Sequence, residues 1–292
     1  MSESRFVESN GIRLHLLDHG GDGPALVLSH GLSANAHFFD GLAAAGLSPA
    51  LRVLAVDLRG RGLSDAPDDG YSMDDHAADL LGLLDALGLD RVLLGGHSFG
   101  GLLTLFLAAA APERVERAVV LDVPDEVDPA VLDQIGPSLA RLDRAYPSRE
   151  AYVEFVRGLP YFADGGWDDG IAAFYAAEVE DLPDGTVRPR CRPAHIRLAV
   201  EGTFGPDWHA VAERIECPTL LLRTTDPFGP PGSGPIMTEA GARRTVARLR
   251  RGRLLEVPGN HITFAYGASA GRVAPALLAF LLGGADGARS QP

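Results

Sequence analysis

Residues 95–101 read GGHSFGG, with the apolar run RVLLG (91–95) leading in and LLTLFLAAAAP (102–112) leading out. The first run has the length and continuity of a buried strand, and the second is helical, so the chain must pass from one to the other over about one residue. Such a turn forces the residue at its apex into strained backbone geometry, and side chains at the flanking positions would collide. Gly96 and Gly100 supply the room. The segment Gly96-His97-Ser98-Phe99-Gly100 therefore fits a G-x-S-x-G elbow in its strand-turn-helix setting. Ser98 is then exposed at the carboxyl end of a strand, beside a helix N-terminus whose free N–H groups favour developing negative charge.

The rest of the chain supplies the sheet that such an elbow needs. IRLHLLDHG (12–20) alternates, whereas ALVLSHG (25–31), LRVLAVDLRG (51–60), RVLLGGH (91–97) and RAVVLDV (117–123) are short continuous apolar runs suited to strands buried on both faces. Helical patterns lie between them at 35–46, 72–87 and 99–111, the second opened by Ser72 with Asp74 and Asp75 in its first turn. The alternation implies an α/β fold, a mostly parallel sheet with helices on both faces. It resumes with CPTLLLRTTD (217–226), a helix at 238–249, GRLLEVPGNH (252–261) and a helix at 269–282. Residues 124–212 break the pattern and read as several helices joined by Pro/Gly turns. The expected organisation is a core of 1–123 and 213–284, an inserted helical cap of 124–212, and a disordered tail of 285–292.

A serine hydroxyl is a poor nucleophile until a base takes its proton. With the chain order Ser, acid, His, the base is expected in a loop after the last strand, where His261 stands in EVPGNHITF. His97 sits inside the elbow and is expected to pack beside it. Asp226, in LLLRTTDPFGP, is the expected acid that orients His261; Asp122, which ends the strand in VVLDVPDE, is its rival. Two backbone donors would hold an oxyanion, Phe99 N–H after the nucleophile and Leu32 N–H in LSHGLSAN. His30 is expected to brace that loop. In the insert, Tyr161, Phe162 and Trp167 of LPYFADGGWDDG are the residues expected to face the substrate.

Together these segments resemble the α/β-hydrolase superfamily across nearly the whole chain. SHGLSAN is similar to its oxyanion segment, DLRGRGLSD (57–65) to the turn after the next strand, GHSFGG to its elbow, LLRTTDPFGP to its acid loop and PGNH to its histidine loop. The resemblance also puts the insert at the family's cap position. Two positions depart from it: R-T-T-D stands where many relatives carry an early glycine, and Asn260 stands before the histidine where glycine is frequent. A serine at the elbow sets the chain apart from the dehalogenase and epoxide-hydrolase branches, which the resemblance says use aspartate there.

The expected chemistry is acyl transfer to water, with a carboxylic ester as the leading substrate. A lactone, an amide, an N-terminal residue, a carbon–carbon bond or a peracid reaction could run on the same groups, and a ligand receptor that keeps the fold is the reading from another class. No cofactor and no metal are expected, since Cys191 and Cys217 lack ligand spacing and GGDG (20–23) reads as a turn. The formal charge of −13 repels polyanions, so neither nucleic acid nor an anionic membrane surface is an expected partner. With no apolar leader in MSESRFVESNG and no long apolar run, a cytoplasmic location is expected.

Overall fold

The computed structural model describes residues 2–125, 135–136, 139–163 and 165–283. The expected tail of 285–292 lies outside them, as do residues 126–134, 137–138 and 164 of the insert. Strands β1 (Glu3–Ser9), β2 (Ile12–Asp18), β3 (Ala25–Ser29), β4 (Arg52–Val56), β5 (Val92–His97), β6 (Val115–Leu121), β9 (Thr219–Thr224) and β10 (Gly252–Val257) form one sheet in the order β1-β2-β4-β3-β5-β6-β9-β10. β2 runs antiparallel to β1 and β4, and every other pairing is parallel.

Alternation along the central strands sorts side chains to two buried clusters. Leu26, Leu28, Val53, Ala55, Val119 and Leu121 face one side, where they meet the helical segment 36–50 and the last helix. Val27, Leu54, Val56, Ala118 and Val120 face the other, under the helices that follow β4, β5 and β9. Those are α1 (Met73–Ala86), α2 (Phe99–Ala110) and α7 (Glu239–Arg248), and the last helix is α8 (Gly267–Leu281). The Ser72 signal is a full capping box: its side chain accepts from Asp75 N–H, and the Asp75 carboxylate accepts from Ser72 N–H.

β1 lies beyond the sequence expectation. As an edge strand with only Ser9 buried, SRFVES shows no apolar run, and its sign is the turn Asn10-Gly11, with φ of 49° and 76°, which closes a hairpin onto β2. The insert also departs from all-helical. Between α3 (Arg149–Arg157), α4 (Asp169–Ala177) and α5 (Pro193–Gly202) sits a two-stranded hairpin of β7 (Val179–Asp181) and β8 (Val187–Pro189). Three-residue strands are too short to show a period, though Asp184-Gly185 marks their turn. The boundary expected at 212 falls within α6 (Trp208–Arg214), whose Trp208, Val211 and Ala212 share the buried cluster of α2. Among the described residues no helix is long and apolar enough to cross a membrane.

From β3 the chain moves outward to β4 and then returns to β5 on the other side of β3. The carboxyl ends of β3 and β5 flank that reversal, the place where open α/β sheets hold ligands. Ser98 follows one of these strands and the Leu32 loop follows the other.

Candidate active site

Ser98 takes φ 54° and ψ −118° at the junction of β5 and α2, a conformation an L-residue holds only when its surroundings impose it. Gly96 and Gly100 are required by space rather than by torsion. A Cβ on Gly96 would stand 2.0 Å from Gly100 O, and one on Gly100 would stand 2.0 Å from Ser29 O. Gly31 is less confined: a Cβ there would lie 3.1 Å from His97 Nδ1 and in ordinary contact, at 3.5 Å, with that of Ser98. The loop after β3 is thus packed directly on the serine.

That loop is fixed from several sides. His30 Nδ1–H donates to Gly31 O at 2.8 Å, and His30 Nε2 accepts Leu58 N–H at 3.1 Å, which defines a neutral ring with the proton on Nδ1. Arg61 Nε donates to Leu32 O at 3.0 Å. Asp57 accepts Ala36 N–H at 2.7 Å and faces His15 Nδ1 at 2.7 Å. Among the described residues, neither Leu32 N nor Phe99 N donates to another backbone carbonyl, whereas Gly100 N–H is already engaged by His30 O at 3.1 Å. The two N–H groups expected at an oxyanion are the ones left uncommitted by the backbone.

Complete burial drives the pKa of His30 down to about 4, with Asp57 only partly opposing it. An unfolded histidine titrates near 6.5, so between pH 6.5 and 4 the unfolded chain binds the extra proton. The stability held by neutral His30 is therefore full above pH 6.5 and is lost as pH falls toward 4. Thermal melts should show Tm dropping over that window in the wild type, with a shallower drop in His30→Asn. Parallel curves for the two proteins would mean that His30 carries none of the acid sensitivity.

The carboxylate that meets His261 is Asp122, not Asp226. Asp122 Oδ2 lies 2.7 Å from His261 Nδ1, and both side chains are buried. Thr224 holds the same carboxylate twice, through its N–H to Oδ1 and its hydroxyl to Oδ2, each at 2.8 Å. Asp226 is exposed and accepts from Gly259 N–H at 3.0 Å and from the Thr225 hydroxyl. Strand register explains the correction. His97 pairs with Leu121, and Leu121 with Leu222, so Asp122 sits one strand away from Ser98 at the same height. Asp226 comes four residues after Leu222, two strands away, and has passed the level of the serine. A φ of 57° at Asp122 turns its side chain off the strand end toward the histidine loop.

His261 is framed by rings: His97 lies 4.3 Å from it between centroids and Phe228 5.2 Å. His97 itself stacks on Phe38 at 4.2 Å, and burial pushes its pKa far below the usual histidine range, so it packs against His261 as a neutral ring. Tyr161 stacks on Phe228 at 4.3 Å and so stands behind the histidine wall. Phe162 is buried among cap residues, with Trp167 edge-on to it at 4.8 Å and parallel to Tyr175 at 6.0 Å. Tyr161 and Trp167 also line a groove of about 1100 Å³ that includes Asp226 and Arg272; Ser98 and Leu32 are not among its walls.

Asn260, noted in the sequence only as a departure from glycine, ties the histidine loop to the cap. Its Nδ2 donates to Tyr161 O at 2.6 Å, and its Oδ1 accepts from Ile262 and Thr263 N–H groups, both at 3.0 Å. Asn260→Gly removes all three bonds, each worth about 1 kcal/mol net, so kcat should fall roughly tenfold and Tm by a few degrees. A variant with wild-type kcat would show that His261 needs no support from the cap.

The chain is similar to known proteins in both sequence and fold. The sequence pattern of the alpha/beta hydrolase fold fits residues 24–264. The 2-(acetamidomethylene)succinate hydrolase of Mesorhizobium japonicum is 35% identical over 252 residues, 85% of this chain and 84% of that protein. The N-formylmaleamate deformylase of Pseudomonas putida is 33% identical over 218 residues, 74% of this chain and 76% of that protein. The crystal structure of an E-2-(acetamidomethylene)succinate hydrolase superimposes with a TM-score of 0.81 at 25% identity, covering 96% of this chain and 99% of its own. An elbow serine under strain, a histidine loop after the last strand and a mostly parallel eight-stranded sheet agree with these matches: the chain belongs to the α/β-hydrolase fold family.

Proposed function

We propose that the protein is a serine hydrolase that cleaves the acyl–nitrogen bond of small N-acyl compounds through an acyl-enzyme on Ser98. The buried hydrogen bond from His261 Nδ1–H to Asp122 is the observation that carries the reading, because it leaves Nε2 unprotonated to accept the serine proton. Ser98 Oγ attacks the acyl carbonyl, His261 takes the proton, and Leu32 and Phe99 N–H groups hold the oxyanion. The proton then passes to the departing nitrogen, and a water deprotonated by His261 releases the acid and frees Ser98. Both relatives above are named for compounds with an acyl group on nitrogen, an acetamido group in one and an N-formyl group in the other. That supports an amide over the carboxylic ester or lactone expected from the sequence.

The test pairs amides and esters that share one acyl group, together with a fluorophosphonate probe. Turnover of the amide and labelling of Ser98 are expected. Ester hydrolysis with every amide left intact would return the substrate to an ester, and a single stoichiometric burst without turnover would favour a receptor.

A further inference from the structure

Among the described residues three arginines are buried with almost no exposure, and two of them have a carboxylate partner. Arg59 grips Asp79 with Nε at 2.6 Å and Nη2 at 2.5 Å, and Arg141 meets Glu178 at 2.8 Å. Arg61, 1% exposed, has none among the described residues. Its Nε donates to Leu32 O, and its Nη1 donates to Arg59 O at 2.7 Å and to His76 Nε2 at 3.3 Å. His76 Nδ1–H donates to Ser72 O, so the face that His76 turns to Arg61 is a neutral acceptor. The rings of Tyr71 and Phe99 lie 5.6 and 5.5 Å from Cζ. Cys191 is close by, but burial pushes its thiol up to about 11, and it supplies no anion. Nη2 has no hydrogen-bond partner.

An unpaired guanidinium buried this deeply costs several kcal/mol unless an anion joins it. Its direction is fixed by its own planarity. In an arginine fork Nε–H and one Nη2–H lie along the same edge and point the same way. Since Nε–H points to Leu32 O, the buried and unpartnered Nη2–H is aimed at the Leu32 loop. There Leu32 packs with Leu142, Cys191 and Ile196 of the insert. That is the seam between the cap and the loop expected to hold the oxyanion, and Phe99 under the guanidinium is the residue after Ser98.

We propose that Arg61 is a specificity-determining residue that receives a free carboxylate of the substrate, so that the preferred substrates are short acyl compounds carrying a negative charge. The inference rests on acyl transfer at Ser98 as proposed above, but not on whether the scissile bond is an amide or an ester. With Nε and Nη1 already engaged, Nη2 is the donor left for a carboxylate, which it would hold through one charge-assisted hydrogen bond backed by the guanidinium charge. Arg61 also braces Leu32 O, so its removal should weaken turnover of every substrate somewhat and of anionic substrates far more.

The experiment compares 4-nitrophenyl acetate with the mono-4-nitrophenyl ester of succinic acid in the wild type, Arg61→Met and Arg61→Lys. Arg61→Met, which keeps an unbranched side chain against Tyr71 and Phe99, should lower kcat/KM for the succinyl ester at least 30-fold more than for the acetyl ester, chiefly through KM. Arg61→Lys should recover part of that ratio. Equal losses on both esters would reduce Arg61 to a brace for the loop and overturn the proposal. If Arg61→Met does not fold, competitive inhibition of the wild type decides: succinate should bind at least tenfold more tightly than succinamide, and equal inhibition would overturn the proposal. Absence of turnover on both esters in the wild type would instead strike at acyl transfer by Ser98, which separates the two failures.

Discussion

Ser98→Ala should leave a folded protein that turns over its substrate at least about 10³-fold more slowly than the wild type. The remaining rate would come from binding and the oxyanion donors, which the substitution does not touch. Activity within about tenfold of wild type would remove Ser98 from the chemistry. The same residue offers a stability readout. At φ 54° and ψ −118° an alanine keeps the Cβ and the strain, whereas a glycine loses both. Ser98→Gly should therefore melt above Ser98→Ala, since such strain costs on the order of 1–3 kcal/mol, partly offset by the greater freedom of unfolded glycine. Coincident melts would mean that the turn stores no strain at the serine.

Local features were legible in the sequence wherever a short stretch carries its own reason. The elbow is one, because both glycines answer to contacts with the same turn or the adjacent strand. The Ser72 cap and the continuous runs of β3 to β6 are others, since periodicity and capping act within a few residues. Features that depend on two distant segments meeting were harder to read. Asp122 and Asp226 both end strands and both precede His261 in the chain, and only register separates them by height. Arg61 reads as one charge in DLRGRGLSD, a loop that would ordinarily be solvated; its burial comes from Tyr71, Phe99 and Leu32, supplied by three other segments. Asn260 could be seen as unusual but not as a clamp, because Tyr161 lies 99 residues away.

Asp122→Asn should cost about 10⁴ in kcat, the penalty found when a serine protease loses the orienting carboxylate, while Asp226→Asn should stay within about fivefold of wild type. The asymmetry follows from the hydrogen-bond pattern. With asparagine at 122, the side-chain oxygen can still accept Thr224 N–H, which leaves the amide NH2 facing His261 Nδ1. Nδ1 must then become the acceptor, so the ring proton moves to Nε2. A ring protonated at Nε2 cannot accept the proton of Ser98. The packing changes little, because asparagine has the shape of the aspartate it replaces. Asp226→Asn leaves an oxygen able to accept Gly259 N–H, in a carboxamide that is exposed, and it does not alter His261. Parallel thermal melts would confirm that neither variant acts by unfolding. A large loss in Asp226→Asn with Asp122→Asn nearly active would return the orienting role to the loop after β9 and require the histidine loop to move before catalysis.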